Sequence, residues 1–99
     1  NSNWTVDNAR FAVYYWNNLG NGWADLVDSD GDGIYEVLTS ALGDATNIIF
    51  CRMNPDNAAN EWSNKWNQTA NLTVPTDGTN LYTVASGTWD NGGGIWSVK

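Results

Sequence analysis

Three rings close together in the chain, Tyr14, Trp16 and Trp23, have the types and spacing best suited to chemistry, and that chemistry is non-covalent recognition of an uncharged polar ligand. On a strand, successive side chains alternate between faces, so Phe11, Val13 and Tyr15 share one side and Ala12, Tyr14 and Trp16 the other. The first set is the more continuously apolar and is expected to look into the core, leaving Tyr14 and Trp16 outward. Asn17, Asn18, Gly20, Asn21 and Gly22 suit a turn that brings Trp23 back beside them. A ring face accepts the axial C–H groups of a pyranose, while amides around it meet the hydroxyls. The competing reading is that these rings cover the sheet or pack under a loop.

A second constellation, Trp62, Asn64, Lys65 and Gln68 in EWSNKWNQT, follows a ring with three hydrogen-bonding side chains. In a loop folded over the aromatic strand it would complete a cleft; alternatively, one tryptophan, Trp66 in particular, plugs the core and the polar groups are solvated. The run Asp28-Ser29-Asp30-Gly31-Asp32-Gly33 resembles the start of a calcium loop, with Asp28, Asp30 and Asp32 as the candidate ligands and Glu36 as a further oxygen. Thr39 stands where an EF-hand loop needs its twelfth-position glutamate, and strands are expected where that motif needs helices. A hairpin turn using Asp and Gly for their backbone preferences is the simpler account.

The composition narrows the function classes. A net charge of −7 repels phosphate backbones and anionic lipid, which argues against nucleic acid and membranes as partners. With no histidine, histidine triads and ordinary histidine zinc sites are excluded. Acid pairs such as Asp28 with Asp30 or Asp56 with Glu61 are neighbours in sequence, which does not set them across a scissile bond, and a domain this small offers little depth for catalysis. A non-enzymatic role is expected. Seven tryptophans in 99 residues exceed what one small core needs, so several must reach the surface. Cys51 lies in the apolar run Ile48-Ile49-Phe50 and reads as a buried, inert thiol. Three Asn-x-Ser/Thr patterns, at Asn3, Asn67 and Asn71, are what an asparagine-rich chain produces by chance.

The elements that must position these residues are short strands. Trp4 and Val6 are expected on an edge strand, and 23–27 and 34–38 form a hairpin across DSDGDG. The run 47–53 is a central strand, and 54–71 is a long polar loop, whole or broken by one strand. Strands follow at 72–74 and 81–85. The stretch GTWDNGGGIWSVK is expected as two short strands around a glycine-rich turn, with Trp89 facing Trp96. The pattern predicts one small all-β domain over 1–99, core 9–99, built as an antiparallel β-sandwich of immunoglobulin-like or jelly-roll-like form. The termini look like those of a module excised from a longer protein.

The order VYYW, GNGWADL, DSDGDGIYEV, NIIFCRMNP and WSNKWNQTANLTVP resembles starch-binding modules of carbohydrate-binding module family 26, with the WSN loop also similar to family 25. The likeness spans roughly residues 9–84. It implies a monomeric, extracellular or cell-surface module of a secreted bacterial protein, covalently linked to an amylase or surface-protein domains, that binds α-1,4-glucans without catalysis. The family's paired strand aromatics fall on Tyr14 and Trp16, its next-strand tryptophan on Trp23, and a loop tryptophan with its amide on Trp62 and Asn64, with Lys65 and Gln68 as weaker correspondences. The NPDNAANEW loop departs from family 26. A different class of reading is a structural or protein-binding sandwich, calcium-stabilised through the aspartates.

Overall fold

Asn47–Met53 is the strand on which the fold is built, because its apolar residues serve both faces of a sheet. The computed structural model describes residues 3–85, 89–91 and 93–99. β1 (Arg10–Asn17), β2 (Gly20–Leu26), β3 (Asn47–Met53), β4 (Lys65–Gln68) and β5 (Leu72–Thr73) form one antiparallel sheet in the order β2-β1-β3-β4. β4 and β5 share the outer edge of β3. Thr69 fills the gap between them: its hydroxyl accepts the Phe50 amide at 3.1 Å and its own amide donates to Phe50 O at 2.9 Å. β6 (Leu81–Val84) and β7 (Gly94–Ser97) make a separate antiparallel hairpin. The protein is all-β, with two 3-10 turns at Thr39–Leu42 and Trp62–Asn64 as its helical pieces among the described residues.

The register assigns the faces. Val13 sits opposite Phe50, and on that side Phe50 meets Tyr82 at 5.6 Å and Trp96 at 6.1 Å between ring centroids, so the β6–β7 hairpin lies on this face. Phe11 stacks with Trp4 and meets Tyr35 there. The other face carries a bed of buried Ala12, Ile49, Cys51 and Met53. Both sides of the β1–β3 pair are therefore core, which the alternation of one apolar and one aromatic face did not convey.

Several expectations are corrected. Residues 4 and 6 are in turns, not an edge strand, yet Trp4 is buried. The hairpin of 23–27 with 34–38 shrinks to one bridge, Val27 with Glu36; β2 is the edge strand of the sheet, paired along its length with β1, and 34–38 forms no strand beside its other edge. Gly22 belongs to β2 and not to a turn: a Cβ there would lie 2.6 Å from the Tyr15 hydroxyl, so glycine admits the cross-strand ring. Trp66 does not plug the core. A bulge at Arg52/Met53 lets it sit 39 % exposed against the Arg52 guanidinium, 4.9 Å from its ring centroid. Trp96 packs on Phe50 and Tyr82 while Trp89 lies over Arg52, so these two rings serve different partners. Residues 87, 88 and 92 of that stretch lie outside the described residues.

Candidate functional site

Strand parity and cross-strand pairing build the site. Tyr14 and Trp16 follow Ala12 on one face of β1, and Tyr14 is the register partner of Trp23 on β2. Their ring centroids are 5.1 Å apart, and Trp16 lies 5.5 Å from Tyr14. The loop between β3 and β4 then carries Trp62 onto the group, 4.9 Å from Tyr14 and 4.7 Å from Trp23. Tyr14 is thus the hub of three indoles. The Trp23 and Trp62 rings are inclined to Tyr14 by 59° each and to one another by 63°, so the cluster is not a flat shelf. Trp62 is 43 % exposed, whereas Tyr14, Trp16 and Trp23 are half-buried over the Ala12, Ile49, Cys51, Met53 bed.

The rim is polar. Lys65 pairs with Met53 and Gln68 with Cys51, which places both beside that bed, and the Lys65 ammonium donates to Gln68 Oε1 at 2.6 Å. The ammonium also stands 5.7 Å from the Trp62 ring centroid. Asn64 is used differently: its Nδ2 donates to Ala59 O at 3.0 Å and Glu61 Oε1 at 3.4 Å, so its amino group stabilises the loop. Of the seven residues singled out in the sequence, six converge on one face, and Asn64 braces the loop that carries Trp62. A shallow groove of about 230 Å³ adjoins the cluster at Trp16, between the β1–β2 turn and Leu42 and Ala45. Beneath the rings, burial pushes the Cys51 thiol up to about 12, consistent with an inert packing residue.

The loop that delivers Trp62 is ordered by a residue the sequence did not mark. Arg10 lies at the start of β1 and is paired with Met53. Its Nε donates to Asn57 O at 2.9 Å and, more weakly, to Asn54 O at 3.3 Å; Nη1 donates to Asn60 Oδ1 at 2.6 Å and Nη2 to Ala59 O at 2.7 Å. The Asn54 amide closes the loop on Asn64 O at 2.9 Å. Three of the four acceptors of Arg10 are backbone carbonyls, which leave no mark in a sequence. The only available signal was a lone arginine on the same strand parity as the rings.

The calcium candidates lie elsewhere. Oxygens of Asp28, Asp30 and Asp32 fall within 4.8 Å of one another. They are occupied by the chain itself: Asp28 accepts the Asp32 and Gly33 amides, Asp32 accepts the Ile34 amide, and the turn requires positive φ at Gly31 and Gly33. The Lys99 ammonium adds a cation, pairing with Asp32 at 3.1 Å, with Asp30 at 3.8 Å, and with Glu36. The Ile34 amide and then Lys99 hold the Asp32 carboxyl down at about 2, while its hydrogen bond to Asp32 raises Asp30. The arrangement is that of a self-satisfied turn. Compared with protein-family models, curated proteins and solved structures, the chain matches none of them.

Proposed function

We propose that the protein binds starch-type α-1,4-glucans without catalysing any change in them. The observation that carries the reading is the group of rings around Tyr14, in which Tyr14, Trp23 and Trp62 are inclined to one another by 59–63° and Trp16 to Tyr14 by 34°, in place of lying in one plane. Successive glucose units of an α-1,4-glucan turn as the chain curves, so non-coplanar rings meet successive sugar faces, whereas flat cellulose calls for coplanar rings. Trp62 and the exposed parts of Tyr14, Trp16 and Trp23 take the C–H faces; Lys65 and Gln68 exchange their mutual hydrogen bond for sugar hydroxyls at the rim. The acidic net charge suits a neutral ligand and disfavours anionic polymers.

On this reading the domain is a targeting module of a secreted or cell-surface protein, holding a covalently linked amylase or surface domain on starch. The surface is open and its polar groups are hydrated before binding, so the expected Kd is roughly micromolar to millimolar. Titration calorimetry against maltoheptaose and cellohexaose tests it. Heat with maltoheptaose and little or none with cellohexaose is the expected result; no binding, or equal binding, overturns the reading. A protein-docking role for the same rings is what the absence of binding to either sugar would leave standing.

A further inference from the structure

We propose that Arg10 is the positioning residue of the aromatic site: with Asn60 and Asp25 it sets how Trp62 leans on Tyr14 and Trp23, and so sets the shape presented to the ligand. The three side chains form a closed link. Arg10 Nη1 donates to Asn60 Oδ1 at 2.6 Å, Asn60 Nδ2 donates to Asp25 Oδ1 at 2.8 Å, and the same Asp25 oxygen lies 3.7 Å from Arg10 Nη1. Each member is tied to a ring. Arg10 and Tyr14 are on one face of β1, Asp25 and Trp23 on one face of β2, and Asn60 is two residues before Trp62.

The geometry separates this role from general stabilisation. β1 is held in register along its whole length by β2 and β3, with no help from the Arg10 side chain. The loop, by contrast, is closed at its base by Asn54 N on Asn64 O and braced within itself by Asp56 N on Asn54 Oδ1, Ala59 N on Asn57 Oδ1 and Asn64 Nδ2 on Ala59 O, whereas its hydrogen bonds to β1 and β2 among the described residues run through Arg10 and Asn60. A planar group with five donors in fixed directions can satisfy Asn57 O, Ala59 O and Asn60 Oδ1 at once; a lysine ammonium cannot reach all three with the same geometry. Loop carbonyls on an exposed segment regain water when the arginine is removed, so the loop loosens while the sheet persists. Pre-ordering Trp62 removes an entropic cost that binding would otherwise carry.

The test is NMR on Arg10→Gln, without ligand. In the unaltered protein, ring-proton NOEs should link Trp62 to both Tyr14 and Trp23, and Tyr14 to Trp23. In Arg10→Gln the Trp62 NOEs should vanish while those between Tyr14 and Trp23 remain; Arg10→Lys should restore the Trp62 NOEs in part. Trp62 NOEs that survive in Arg10→Gln overturn the proposal. If that variant does not fold, Asn60→Ala decides by the same measurement: selective loss supports the role and full retention overturns it. A second arm, which rests on the α-glucan reading, is maltoheptaose affinity, expected to fall about tenfold in Arg10→Gln. Failure of the unaltered protein to bind maltoheptaose would overturn the glucan reading alone, because the NOE arm needs no ligand.

Discussion

The two faces of the β2-β1-β3-β4 sheet carry comparable sets of rings and treat them in opposite ways. On one face Phe11, Val13 and Phe50 are covered by Trp4, Tyr35, Tyr82 and Trp96, supplied by the chain before β1, the segment after β2 and the β6–β7 hairpin. On the other, Tyr14, Trp16, Trp23 and Trp62 themselves form the outermost layer. An aromatic ring stabilises a fold in proportion to the water it loses; a ring left at the surface has burial still to gain from a ligand. Two arginines repeat the contrast. Arg52, with 4 % of its side chain exposed, ties Trp4 O and Val6 O to the covered face and is flanked by Trp66 and Trp89. Arg10 ties the Trp62 loop to the open one.

The comparison breaks if the covered face tolerates truncation. Trp96→Ala removes a ring that packs on both Phe50 and Tyr82 and should lower the unfolding free energy by about 3 kcal/mol, read from urea denaturation. Arg52→Met should follow at about 2 kcal/mol, because it strands carbonyl acceptors and loses its stacking on two indoles. On the open face, Trp62→Ala should cost about 1 kcal/mol or less, since its ring contacts are partly solvated, while abolishing measurable maltoheptaose binding by calorimetry. Equal losses of stability on the two faces would make the Tyr14 cluster a second core and remove its claim to be a ligand surface.

How far this division was legible depended on where each signal lay. The bounds of β3 could be read directly, because Asn-Ile-Ile-Phe-Cys-Arg-Met is apolar on both parities and bounded by polar turns. The alternation of β1 gave the Tyr14–Trp16 pairing, and the Trp23 register followed from the short Asn-rich turn, where Asn17 Oδ1 accepts the Leu19 and Gly20 amides. Neighbours remote in sequence were hidden. The hairpin across DSDGDG was expected from strand propensity in 34–38, but propensity does not name a partner, and the segment meets β2 at one bridge alone. Arg10 and Arg52 were opaque for a related reason: three of the four acceptors of Arg10 and two of the four of Arg52 are main-chain carbonyls, and a charged residue in a strand looks like an ordinary solvated one until the segment above it is in place.

The smallest expected effect belongs to neither face and tests whether the acidic turn is a self-satisfied latch. Asp32 is held at about 2, below its ordinary 3.8, by the Ile34 amide first and the Lys99 ammonium second. A depressed carboxyl stabilises the fold above the unfolded value, so its contribution is complete above pH 3.8 and is lost as pH falls through about 2. Asp30 has the opposite sign: its raised carboxyl takes up a proton more readily in the fold, which offsets part of that loss. Lys99, raised by Glu36 and Asp32, keeps its contribution through neutral pH and loses it only in strong alkali. Thermal melts of the unaltered protein and Asp32→Asn should therefore diverge at neutral pH and converge as the pH approaches 2, with a difference smaller than that of either covered-face variant. Parallel curves throughout would mean that the Asp32 carboxylate is solvated alike in both states and that the Lys99 contacts add nothing to the fold.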